Sequence, residues 1–136
     1  MKKIFALVLA LVAVMTFSTS FLKEEISDVL VTLEVNNDIN AYMNLNDADR
    51  ATVREQGTAI EQAFAAQISA TGLEKAGDRY WMARNQRSNR TVSEMVLEAG
   101  DKAYASVQDI KPLIPITVSI SIDSMFGVET VADYSF

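Results

Sequence analysis

The sequence predicts one two-layer α+β domain, in which a small antiparallel sheet is covered by two or three helices. An N-terminal strand and a C-terminal hairpin are expected to make the sheet. Apolar and polar residues alternate over 28–36 and over 116–122, as they do in strands with one buried face. Between these segments, the apolar residues of 47–70 recur every three or four positions, which is typical of one face of a helix.

Residues 1–20 are predicted to be a bacterial-type secretory signal peptide. Two lysines precede an apolar stretch over 4–15, and Ser18 and Ser20 supply the small residues that signal peptidase requires. The alternative is an uncleaved anchor, but the apolar stretch is shorter than the roughly 20 residues of a membrane span. We therefore expect residues 21–136 to form a single domain outside the cytoplasm, periplasmic or secreted, with no membrane span after cleavage.

Composition excludes several classes of function. The chain has 18 acidic and 12 basic residues and a net charge of −6, which disfavours nucleic acid and anionic membrane as partners. It has no histidine and no cysteine, so serine–histidine triads, thiol nucleophiles, and imidazole or thiolate zinc sites are excluded. No cofactor is expected. A carboxylate-only enzyme such as a glycan hydrolase stays open, because that chemistry needs only two acids.

The segment after the first predicted strand is rich in asparagine and aspartate and is predicted to be a loop until about Leu45. Its side chains carry oxygen atoms of the kind that bind calcium; they belong to Asp38, Asn44, Asn46, Asp47 and Asp49. The spacing lacks the central glycine and distal glutamate of a calcium loop, so caps and turns explain these residues and no metal site is predicted. Asn46 or Asp47 is expected to cap the helix that ends at Thr71-Gly72.

The second half of the chain contains one ambiguous segment. Residues 73–90 fit either a helix or a short strand, with a turn signal at Gly77-Asp78. Thr91 and Glu94 then form a capping-box pattern for a helix that runs to Lys111-Pro112.

Gly100 lies inside this predicted helix and is expected to weaken it by about 1 kcal/mol relative to alanine. Residues 123–127 are expected to turn the chain, and residues 128–134 to complete the C-terminal hairpin.

One segment combines positive charge with flat aromatic rings and is the candidate ligand-binding site. Its members are Arg79, Tyr80, Trp81, Arg84, Arg87 and Arg90. Guanidinium groups bind phosphate or carboxylate, and aromatic rings stack on sugars, so the segment is a hypothesis for a small anion or a glycan. The alternative is that the aromatic residues belong to the core while the arginines pair with an acidic surface.

Three functional hypotheses follow. The first is a non-enzymatic binding or interaction module, exported to a bacterial envelope or secreted fraction, that associates with itself or with an envelope protein. The second is a binder of a small anion or glycan at the arginine–aromatic segment. The third is a carboxylate-only enzyme.

Overall fold

The computed structural model describes residues 26–136, so the predicted signal peptide, residues 1–20, lies outside the described residues. The elements are β1 (Ser27–Asn37), α1 (Ile39–Met43), α2 (Asp47–Ala70), β2 (Glu74–Gly77), β3 (Tyr80–Gln86), α3 (Arg90–Ser106), β4 (Ile116–Ser124) and β5 (Gly127–Ser135). The strands form one antiparallel sheet in the order β2-β3-β1-β4-β5. The predicted two-layer α+β fold is confirmed, with a second hairpin, β2-β3, added to the predicted sheet.

The first strand, β1, lies in the centre of the sheet because one of its faces is strongly apolar. Val29, Val31 and Leu33 are fully buried on the side of the helices, whereas Thr32 and Glu34 lie on the opposite face. The predicted bounds of this strand, 28–36, are correct to within one residue at each end.

The C-terminal hairpin follows the predicted alternation. The isoleucines and valine of β4 that face the helices are buried, and the serines and threonine between them lie on the other face. The turn between β4 and β5 ends at Gly127, whose φ of 124° is accessible to glycine at little cost. The β4–β5 register shifts between Ile120 and Ser121, which places a bulge in the edge strand β5.

Helices α2 and α3 pack side by side over one face of the sheet. The predicted helical stripe is the buried one, since Val53, Ile60, Phe64 and Ile68 all point into the core. Asn46 caps α2 as expected, because its side chain accepts a hydrogen bond from the Asp49 backbone N–H at 2.8 Å. No helix among the described residues combines the length and the apolar character needed to cross a bilayer.

Two local predictions about helix starts are wrong. The predicted loop before Leu45 contains the short helix α1, which the Asp38 side chain caps by accepting from the Asn40 N–H at 3.0 Å. The capping box at Thr91 is absent, because α3 begins two residues earlier than predicted, and Asn89 occupies the N-cap position without a capping bond. The Asn89 side chain instead accepts a hydrogen bond from the Ser124 hydroxyl at 2.8 Å.

The structure also shows where α3 ends and which conformation the ambiguous segment adopts. The helix ends at Ser106 rather than near Lys111, and Val107 turns into the core directly after it. Residues 74–86 of the ambiguous segment form the β2-β3 hairpin, so the strand alternative is the correct one there.

Candidate functional site

The strand β3 divides the arginine–aromatic segment between the two faces of the sheet. Trp81 is 0% exposed on the helix side, and its indole N–H donates to the Ser69 hydroxyl at 3.0 Å. Tyr80 and Arg84 lie on the opposite face. The tryptophan ring is therefore part of the core and does not face a ligand, whereas the tyrosine ring is partly accessible.

Three of the four arginines in the segment are neutralised by nearby carboxylates. The Arg79 guanidinium lies 2.6 Å from a Glu61 oxygen. Arg84 contacts Glu74 at 2.8 Å, and Arg90 contacts Glu94 at 3.1 Å. These pairs are largely exposed, so each contributes little to stability.

The Arg84 pair is hydrogen-bonded as well as charged. The hydrogen bond from Arg84, followed by its positive charge, lowers the pKa of Glu74. The same hydrogen bond, followed by the negative charge of Glu74, raises the pKa of the Arg84 guanidinium. Arg87 lies in the connection between β3 and α3. The six predicted residues are therefore not brought together around one concave surface.

A concave site lies between the end of β1 and the middle of α2, and we call it the basic cleft. Its volume is about 230 Å³. Its walls are Val35, Asn36, Asn37, Val53, Arg54, Gly57, Thr58, Glu61, Arg79 and Ile116. Arg79 is the member of the predicted segment that lines it. Two guanidinium groups, two carboxamides and one hydroxyl thus share the cleft with a single carboxylate.

Arg54 differs from the other arginine of the cleft in having a neutral partner. Its Nη1 donates to the Tyr42 hydroxyl at 2.6 Å. The nearby Asp47 carboxylate is held by Arg50 at 2.6 Å instead, and this hydrogen bond is the main reason that the pKa of Asp47 is lowered. No carboxylate of residues 26–136 forms an ion pair with Arg54. The positive charge of Arg54 is thus not compensated by a direct contact.

Gly57 leaves room in the cleft. A Cβ atom built at this position would meet no atom within 4 Å, so packing does not require glycine there. Glycine in the interior of a helix costs about 1 kcal/mol relative to alanine, and at Gly57 no close approach of a neighbour offsets that cost. The missing side chain keeps open the wall that separates Arg54 from Glu61.

Sequence reasoning did not select Arg54, Gly57 or Thr58 as site residues. All three lie in a segment whose periodicity predicts a helix, and charged residues on a helix surface are ordinary. The one local signal was the glycine itself, since it interrupts a segment of good helix formers without ending the helix.

A second concavity, which we call the sheet-face pocket, lies on the face of the sheet opposite the helices. Its volume is about 240 Å³. Its walls are Leu30, Thr32, Glu34, Tyr80, Ser121, Ile122, Asp123 and Val128. Tyr80 is the member of the predicted segment that lines this pocket. The two concavities therefore lie on opposite sides of the sheet.

The carboxylates of the sheet-face pocket do not have the spacing of a glycosidase pair. Asp123 pairs with Leu30 across the β1–β4 ladder, and Glu34 lies four residues further along β1. Four residues of strand span about 13 Å. The two acids of glycosidases are about 5–10 Å apart.

The described residues also lack a cluster of metal-binding side chains. No group of three aspartates or glutamates within residues 26–136 is arranged to hold a metal ion. No protein family, curated protein or solved structure matches the chain, so both candidate sites rest on the geometry of this chain.

Proposed function

We propose that the protein is an exported, non-enzymatic binding module of a bacterial envelope or secreted fraction, and that its basic cleft binds a small anion. The observation that carries the proposal is the arrangement of Arg54 and Arg79 in one concave site. Arg79 is already paired with Glu61, whereas the side chain of Arg54 donates its hydrogen bond to the neutral Tyr42 hydroxyl and forms no ion pair with a carboxylate of residues 26–136.

Electrostatics favour an anionic ligand in the cleft. The chain as a whole carries a net charge of −6, yet two guanidinium groups face one carboxylate at this site. Guanidinium groups form two parallel hydrogen bonds with carboxylate or phosphate, and such bonds are about twice as strong as neutral ones. The cleft therefore offers a local positive potential on an otherwise acidic molecule.

The size and lining of the cleft favour a small, hydroxylated ligand. A volume of about 230 Å³ lies below the range of typical drug-sized pockets, about 300–1,000 Å³. Asn36, Asn37 and Thr58 add donors and acceptors of hydrogen bonds beside the charges. An acidic monosaccharide has the negative charge and the hydroxyl groups that such a lining would bind.

Calorimetric titration of the protein with galacturonate tests the proposal, with galactose as the neutral counterpart and phosphate as a second anion. We expect galacturonate to bind and galactose not to bind, with affinity falling as salt screens the charges. Arg54→Gln should weaken binding at least tenfold. Arg90→Gln is the matched control, because it removes the same charge from an arginine paired outside the cleft.

The outcomes separate the site from nonspecific attraction. Equal losses in the Arg54 and Arg90 variants would show that net charge, not the cleft, attracts the anion. An absence of binding by both anions at millimolar concentration would overturn the proposed function. The export part is tested separately by the intact mass of the protein recovered outside the cytoplasm, which should lack residues 1–20.

A further inference from the structure

We infer that the sheet-face pocket is a binding site for an organic cation carrying an alkylammonium or guanidinium group. This site lies across the sheet from the basic cleft and does not depend on the function proposed for that cleft. The inference starts from Asp123, the charged side chain among the buried residues of the described chain.

Asp123 is 8% exposed, and no described residue forms a hydrogen bond or ion pair with its carboxylate. Ser124, the buried polar residue beside it, is fully satisfied, since its hydroxyl donates to Asn89 and accepts from the Phe126 N–H. Folded proteins normally pair such carboxylates with a donor. The oxygens of Asp123 are reached by solvent and by no donor of the described residues, so they are available to a ligand.

The carboxylate of Asp123 opens into the pocket and is not sealed in the core. Asp123 lines the pocket, and no buried side-chain oxygen or nitrogen of the described residues is both sealed from solvent and without a partner. Its cross-strand neighbours are Leu30 on β1 and Val128 on β5. The carboxylate thus lies at the bottom of a depression between two apolar side chains.

The rest of the pocket is suited to a cation with a short apolar stem. Val128, which is 56% exposed, offers apolar surface, and the buried Leu30 forms part of the wall beside Asp123. Thr32 and Ser121 place hydroxyl oxygens in the next row, where Tyr80 adds an aromatic ring that attracts cations. Glu34 contributes a second negative charge, and no basic residue is among those that line the pocket.

A divalent metal ion fits this lining less well than an organic cation. Calcium takes six to eight oxygen ligands, several of them carboxylates, and no group of three acids exists for this purpose in residues 26–136. Two carboxylates, two hydroxyls, a ring and three aliphatic side chains line the pocket, and they match the head and stem of a lysine-like or arginine-like group. The shared chemistry covers both a free amine and a basic side chain of a partner.

Titration of the full-length protein with n-butylammonium, followed by NMR chemical shifts, tests the inference. We expect saturable shifts centred on Asp123, Leu30 and Val128, and none with 1-butanol, which has a similar shape without the charge. N-acetyl-lysine amide is the second probe. If it binds more tightly than butylammonium, the natural ligand is a basic side chain of a partner protein. If butylammonium binds more tightly, the natural ligand is a free amine.

Variants locate the site. Asp123→Asn keeps the shape of the side chain and should weaken butylammonium binding at least tenfold. Asp133→Asn is the matched control, because it lies on the same face of the sheet and its carboxylate already accepts a hydrogen bond from Ser119 at 2.6 Å. Binding in the control should stay within twofold of the parent protein.

A third variant keeps the inference testable should Asp123→Asn fail to fold. Val128→Lys changes an exposed residue and supplies an ammonium group beside Asp123, so it should abolish butylammonium binding and raise the melting temperature. Absence of binding by both amines, equal losses in the Asp123 and Asp133 variants, or binding of calcium chloride in place of the amines would each overturn the inference.

Discussion

The two long helices each contain one glycine in their interior, and the surroundings of the two glycines are opposite. A Cβ at Gly57 in α2 would meet nothing within 4 Å, whereas a Cβ at Gly100 in α3 would lie 2.5 Å from the Tyr134 hydroxyl oxygen. Neither glycine has a positive φ, so backbone conformation requires glycine at neither position. The helix layer is therefore closed on the α3–β5 side and open on the α2–β1 side, where the basic cleft lies.

The closed side is built from aromatic rings of the two long helices and of the C-terminal residues Tyr134 and Phe136. Tyr134 lies 5.2 Å from Phe64 and 5.0 Å from Tyr104, measured between ring centroids. Phe136 packs edge-on against Tyr104 at 5.2 Å. The Tyr134 hydroxyl also donates to Asp101 at 2.7 Å, which fixes the ring directly over Gly100. Aromatic pairs of this geometry contribute beyond the area that they bury.

Gly100→Ala should change the free energy of unfolding more than any other substitution on either side of the helix layer. The new methyl group would overlap Tyr134 and lie 3.1 Å from Ile120, so the tightly packed side must move. Overpacking of this kind typically costs about 1–3 kcal/mol, more than the helix propensity that alanine restores. Urea denaturation should show a lower free energy of unfolding. A rise would mean that the α3–β5 side is as open as the cleft.

A double variant checks the cause of that loss. The closest atom to the new methyl group is the Tyr134 hydroxyl oxygen, which Tyr134→Phe removes. The two substitutions should therefore be non-additive, with the Gly100→Ala loss smaller in the phenylalanine background than in the parent protein.

The sequence predicts the elements that have strong periodicity and misses those that do not. β1, α2 and β4 each show an apolar repeat of two or of three to four residues. α1 has five residues and no buried side chain, so no repeat could reveal it. The four residues of β2 are mostly exposed and polar, and only their pairing with β3 makes them a strand.

The candidate sites are harder to predict because they depend on partners that are distant in the sequence. The abundance of arginine in 79–90 is visible in the sequence, but its neutralisation by Glu61 and Glu74 is a property of the folded sheet. Likewise Asp123 looks like a turn residue, whereas the ladder places it between Leu30 and Val128.

Tyr134→Phe should lower the free energy of unfolding by an intermediate amount that depends on pH. Loss of the hydrogen bond to Asp101 is expected to cost about 0.5–1.5 kcal/mol near neutral pH. Burial, followed by the hydrogen bond to Asp101 and its negative charge, raises the pKa of Tyr134 well above its usual value. The fold thus favours the neutral phenol, so its stabilising contribution is complete below about pH 10, where tyrosine in the unfolded chain is also neutral.

Above about pH 10 the unfolded chain ionises first, and the free energy of unfolding should fall as pH rises. Denaturation curves between pH 8 and pH 11 should show this decline in the parent protein and a shallower one in Tyr134→Phe. Tyr104→Phe is the control, because Tyr104 belongs to the same ring cluster but donates to the Ser135 backbone carbonyl. If the free energy of unfolding fell equally steeply with pH in the parent and in Tyr134→Phe, Tyr134 would not be the group responsible for the decline.

Substitution of Gly57 should have the smallest effect on stability and the opposite sign. Alanine at this position meets no neighbour and improves helix propensity, so the free energy of unfolding should rise by up to about 1 kcal/mol. Gly57→Leu should keep the helix intact but fill the basic cleft and abolish galacturonate binding. Denaturation combined with titration of both variants measures the two effects separately. A loss of stability in Gly57→Ala would show that α2 is packed as closely as α3, and the cleft between Arg54 and Glu61 would then lack the room for a ligand.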